Sequence, residues 1–156
     1  MDISTDSGLK MLLCRAGSTV CGLRIGSVVE TLRPLPIELI SGMPEFVSGL
    51  SIVRGTPVPV VDLARLLGDE SETRPARFVV VKTHGGRVAL AVSEVTGIRT
   101  LDAKSIGALP PLLRGARADL VSAIGSLDAE LLLVLEGGRV LPDSAWSELN
   151  RASAGA

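Results

Sequence analysis

The residues best equipped for chemistry are one histidine, two cysteines, a short acidic run and an arginine beside a glycine. His84 lies in "THGG", between two valine-rich runs, and reads as a solvated turn residue rather than a general base. Cys14 and Cys21 have no histidine near them in sequence, so a thiol nucleophile lacks a local base. With a single histidine in the chain, a metal site would need more ligands than these side chains supply. "HGGR" lacks the strand-to-helix setting of a phosphate loop. Asp69, Glu70 and Glu72 fall in the polar stretch GDESETRP and read as a solvated loop. The expectation is a protein without catalytic residues, metal or cofactor.

Arg54 is different because of its surroundings, "IVRGTPVPVVDL" at 52–63. Amides of residues i and i+2 point to the same side of a strand, so Pro57 and Pro59 together remove two donors from one edge. The segment suits a strand with one ladder partner, and Gly55 supplies the turn back to the preceding strand. Arg54 then sits at a hairpin tip. A lone exposed ion pair adds only about 0–1 kcal/mol to stability. Its planar fork becomes informative if a carboxylate holds it and aims it at another protein. Glu30, in "SVVET", is the nearest strand-borne acid that a barrel would bring round. Val28, Ile52 and Val53 beside this pair would form a small apolar patch with a charged rim.

The elements that must position these residues are short strands. Valine-rich runs are broken by Gly, Pro and charged turns every eight to twelve residues or so, the rhythm of an all-β barrel or sandwich. Strands are expected near 9–16, 19–25, 28–33, 47–54, 56–62, 76–83, 87–93, 94–101, 120–127 and 130–136. A two-residue turn at Gly17-Ser18 sets Cys14 opposite Cys21 as a hydrogen-bonded pair. The favoured reading of both is as small buried hydrophobes. A short helix, capped by Asp62 and stopped by Gly68, follows the fifth strand. A second helix begins near Pro142 and aligns Trp146 with Leu149. Sixteen basic against seventeen acidic residues leave no broad basic field for nucleic acid. Only three residues are aromatic, so base stacking is not expected. No apolar run approaches the ~18 residues needed to span a bilayer, and the amino terminus does not read as a signal peptide, so a cytoplasmic protein without membrane insertion is expected.

The sequence also echoes itself. "KMLLCRAGSTVCGLRIGSVV" at 10–29 matches "RFVVVKTHGGRVALAVSEVT" at 77–96, an offset of 67 residues. "GLSIVRGTPVPVVDLARLL" at 49–67 matches "AIGSLDAELLLVLEGGRVL" at 123–141, now offset by 74. A seven-residue insertion near ALPPLLRG accounts for the difference. Duplication predicts two similar small barrels with a groove between them. It also places Asp128 where the first copy has Arg54.

The blocks "CGLRIGSVVETL", "MPEFVSGLSIVRGTPVPVVDL", "RVALAVSEV" and "LVSAIGSLDAELLLVL" resemble those of the CheW-like domain, the adaptor of bacterial chemotaxis arrays. The resemblance covers about residues 9–140, and its most specific part is the Arg-Gly-x-x-x-Pro-x-x-Asp-Leu run at 54–63. It implies a mainly β fold of two SH3-like five-stranded barrels, with a short helix after the first barrel and a C-terminal helix. The whole chain, 1–156, would be one domain of two lobes, with a lobe boundary near 68–75 and strands that the lobes can exchange.

The resemblance further implies a non-catalytic adaptor between the regulatory domain of a histidine kinase and the cytoplasmic tip of a methyl-accepting chemoreceptor, located at receptor arrays. Its implied partner-binding residues are Val28, Glu30, Gly49, Ile52, Arg54 and Gly55. Two departures stand out: Ile52-Val53 replaces the family's Asn-Leu before the arginine, and Ser93 replaces an aspartate. The alternatives are a scaffold of a chemosensory-like pathway with another output, in motility or gene regulation, and a small-ligand-binding barrel. The valine-rich strands argue against the wide polar interior that the last would need.

Overall fold

A computed structural model describes residues 8–68, 74–83, 85–102, 106–108, 121–127, 130–135 and 146. Eleven strands run in the order β1 (Gly8–Ala16), β2 (Thr19–Arg24), β3 (Val28–Leu32), β4 (Val47–Val53), β5 (Thr56–Asp62), β6 (Arg77–Thr83), β7 (Gly86–Val92), β8 (Glu94–Asp102), β9 (Ile106–Ala108), β10 (Val121–Leu127) and β11 (Glu130–Leu135). Ten stand where the sequence pattern predicts them. β9 is additional, and three residues are too few to show a period of two. A 3-10 turn at Ile25–Ser27 links β2 to β3.

After β5, the Asp62 carboxylate accepts from the Arg65 amide at 3.2 Å and starts α1 (Leu63–Leu66), which ends before Gly68 at φ 85. The second helix expected near 142 lies outside the described residues except for Trp146. That indole packs against the main core and over the β6–β7 turn, where a Cβ at Gly85 would lie 2.5 Å from it.

The strands form a five-stranded sheet, β3-β6-β7-β5-β4, and a six-stranded sheet, β8-β1-β2-β11-β10-β9. Their registers test the duplication. Adding 67 carries Met11↔Arg24 onto Phe78↔Ala91 and Cys14↔Cys21 onto Val81↔Val88. Adding 74 carries the bulged pairs Val47↔Val61 and Gly49↔Val60 onto Val121↔Leu135 and Ala123↔Val134, bulge included. The two offsets meet in the parallel pairings: Val60↔Ala89 in one sheet corresponds to Val134↔Gly22 in the other. Chance resemblance between hairpins would not reproduce both registers and both bulges. Even β9 has a counterpart, the single bridge Glu38↔Leu50.

Two features differ from the expected arrangement. β5 has two ladder partners rather than one, since it pairs with β4 and also, in parallel, with β7. The prolines still act as donor-free positions, because the β7 ladder begins only at Val60, after Pro57 and Pro59. The connector around 68–75, of which 69–73 lie outside the described residues, joins α1 to β6 within the five-stranded sheet. The chain instead passes between sheets after β2 and again after β7.

Strand alternation sorts the apolar side chains into three clusters. Val53, Val58, Val60, Phe78, Val80 and Ala89 fill the interior of the five-stranded sheet. Among the described residues, Met11, Leu13, Val20 and Leu101 contribute to that of the six-stranded one. Between them lies the largest cluster of described residues, to which Leu12, Cys14, Cys21 and Leu23 contribute from one sheet and Val79, Val81, Val88 and Leu90 from the other. β6 is therefore buried on both faces, which is why "FVVV" shows no polar alternation. Cys14 and Cys21 are free thiols with no exposure. The Cys14 thiol beside it, together with burial, pushes the Cys21 thiol far above the usual range.

Candidate partner-binding site

β4 and β5 close with a two-residue turn whose central residues, Arg54 at φ 50 and Gly55 at φ 81, are both left-handed. Such a turn matches the right-handed twist of the flanking strands. It fixes the direction of the Arg54 side chain, and β3 arrives alongside with Glu30. Arg54 Nε donates to Glu30 Oε2 at 2.9 Å and Arg54 Nη2 donates to Glu30 Oε1 at 2.8 Å. The guanidinium engages the carboxylate with two parallel bonds, the geometry that lysine cannot supply.

The two partners stand in different surroundings. The Arg54 side chain is 76% exposed and that of Glu30 only 20%. The bonds from Arg54, helped by the charges of Arg54 and Arg87, hold the Glu30 carboxyl below its ordinary value, and the same pairing raises Arg54. The pair is ionised throughout the neutral range, with the cation outermost.

The other sequence candidates separate. Ile52 is 61% exposed and lies two residues before Arg54, near the end of β4. Val28 is half-buried and packs on the core between the sheets, and Val53 is buried inside the barrel. The expected patch of three apolar residues thus reduces to one fully exposed member. Simple alternation along β4 sends Val53 inward where Ile52 faces out, and a bulge between Val28 and Glu30 breaks the alternation along β3.

Gly49, at φ 146, is buried rather than presented: a Cβ there would run into the Glu38 carbonyl and Ile37. Its bareness lets the 36–38 segment lie on β4, where Glu38 and Leu50 exchange amide bonds of 2.8 and 2.9 Å and Ser51 Oγ donates to the Pro36 carbonyl at 2.8 Å. Gly55 stays exposed at the tip. Ser93 Oγ accepts from the Gly17 amide at 3.0 Å, so this departure from the family pattern closes the β1–β2 turn. His84, Asp69, Glu70, Glu72 and Asp128 lie outside the described residues.

Among the described residues no three His, Cys, Asp or Glu side chains gather to hold a metal ion. None of their helices is long and apolar enough to cross a membrane. Arg87, which acts on Glu30 through space, was not singled out by the sequence pattern. Its position becomes readable only once the β3–β6–β7 register is known.

Comparison with known proteins agrees with this architecture. The model of the CheW-like domain matches residues 10–145. A chemotaxis protein CheW of Klebsiella aerogenes is 23% identical over 136 residues, covering 86% of this chain and 82% of that protein. Protein FrzA of Myxococcus xanthus is 32% identical over 126 residues, 76% of this chain and 78% of its own length. The crystal structure of the scaffolding protein TtCheW from Thermoanaerobacter tengcongensis superposes with a TM-score of 0.79 at 24% identity, over 88% of this chain and 95% of that one. That likeness identifies the two sheets as the paired SH3-like barrels of the fold. With seven-eighths of its length matched by one family model, the chain belongs to the CheW-like domain family.

Proposed function

We propose that this protein couples chemoreceptors to a histidine kinase by holding the cytoplasmic tip of a methyl-accepting receptor at the Arg54–Glu30 end of the five-stranded barrel. As a member of its family the protein is a non-catalytic chemotaxis adaptor, so signalling arises from the partners it brings together. The observation that carries the reading is the two-point ion pair at the β4–β5 tip. An exposed arginine gains little stability from such a pair, yet this one is held in a single orientation with most of its surface outward. Ile52 supplies apolar contact area beside it, and Gly55 keeps the tip narrow.

The kinase regulatory domain would use a different surface, so that receptor and kinase bind at once and receptor state biases the kinase through the adaptor. The complex would sit at the receptor array in the cytoplasm. Arg54→Glu tests the receptor contact. It is expected to weaken co-sedimentation with a receptor fragment from the same cell while stability stays within about 1 kcal/mol of the parent. Undiminished co-sedimentation, or an unfolded variant, would refute the assignment.

A further inference from the structure

Arg54 engages both oxygens of Glu30, yet two more cations stand at the same end of the barrel. Lys82 and Arg87 lie directly opposite each other on β6 and β7, and both are exposed. The registers Glu30↔Val80 and Val80↔Ala89 place Glu30, Val80 and Ala89 in one row across three strands. Two positions further along, Lys82 and Arg87 fall on the same face of the sheet. Val80 and Ala89 belong to the barrel interior. Lys82 and Arg87 therefore continue that interior face beyond the apolar core, at the mouth where the Arg54 hairpin meets Glu30. The charge of Arg87 is felt at Glu30. Among the described residues the side chains of Lys82 and Arg87 make no hydrogen bond or ion pair.

The duplicated sheet provides an internal control. Under the 67-residue offset Lys82, Arg87 and Glu30 correspond to Arg15, Val20 and Gly97, and under the 74-residue offset Arg54 corresponds to Asp128. One mouth thus carries three cations against a single carboxylate, whereas the residues at the corresponding sequence positions of the other copy are one cation, one acid and two uncharged residues. The duplicated pattern does not itself require the excess, because the sister sequence does without it at these four positions.

We propose that Lys82 and Arg87 complete, with Arg54, a cationic rim that recognises carboxylates on the acidic surface of a docked protein. The inference rests on the reading of this end as the receptor-facing one, and gives that contact its chemistry: acidic side chains of the receptor tip set against the rim, with Ile52 beside them. Charges on an interface rim act chiefly on encounter and on salt dependence.

Affinity for a receptor cytoplasmic fragment from the same cell, measured at roughly 50 and 200 mM salt, tests it. Arg87→Gln removes the charge without setting a second carboxylate beside Glu30. It is expected to weaken binding about three- to tenfold at the lower salt, and Lys82→Gln with Arg87→Gln to flatten the salt dependence. The thermal midpoint should be unchanged. If Arg54→Glu abolishes binding while the double variant keeps the parent affinity at both salts, the rim is refuted and the receptor face stands. If Arg54→Glu also binds as the parent does, the receptor face itself is refuted.

Discussion

Arg54 occupies a left-handed backbone conformation that costs a non-glycine residue about 1–2 kcal/mol. Asparagine tolerates the conformation and favours such turns. Arg54→Asn is therefore expected to match or exceed the parent in urea denaturation, by up to about 1 kcal/mol, while losing receptor binding. A residue kept at the expense of local backbone comfort points to a role outside the fold. The pH dependence of the pair follows from its shifts. Glu30 titrates below its ordinary 4.5, so its ionic contact is fully present above that value and is lost as pH falls through the lowered one. Receptor binding should be flat over roughly pH 5–8 and decline only in acid. A midpoint near neutrality would exclude Glu30 as the controlling group.

Much of this was legible beforehand: Gly55 marks the turn, the turn exposes Arg54, and a barrel brings β3 and its acid alongside. Val53 follows simple alternation, opposite to its neighbour Ile52, but the direction of Val28 was not legible. A bulge reverses alternation without leaving a mark in the sequence.

At the level of elements, the β4 edge depends on one bare α-carbon. Gly49→Ala would force the 36–38 segment away from β4 and strain a backbone at φ 146. The expected loss is about 2–4 kcal/mol, read as a lower urea midpoint. Retained stability would mean that the segment can shift at little cost. The resemblance had marked Gly49 for partner contact, whereas its packing explains the residue by close approach alone. Ten strands could be placed from residue types because each carries at least five residues of β-rich pattern between turn signals. Their parallel pairings could not, since the ladders of β5 with β7 and of β2 with β11 join segments far apart in the chain. What sequence does supply is the offset between repeats, and the offset predicts one register from the other.

Over the whole molecule, the largest core among the described residues belongs to neither sheet alone. Leu90 has no exposure and lies in that shared cluster, so Leu90→Ala is expected to cost about 2–4 kcal/mol. It should lower a single unfolding transition seen alike by fluorescence of Trp146 and by circular dichroism. Two separable transitions would show that the sheets melt independently. Cys14 and Cys21 face the same cluster and should resist alkylation until that transition.

The interleaving of the strands also sets a timetable for synthesis. The five strands β3 to β7 are contiguous and can assemble as soon as they leave the ribosome, whereas the hairpin made first must await β8 to β11. At about 5–20 residues per second, roughly five to twenty seconds separate the emergence of β2 from that of β11. Leu12, Cys14, Cys21 and Leu23 can shelter meanwhile against the finished neighbour. Met11, Leu13 and Val20, on the other face, stay open to chaperones until the last strands arrive.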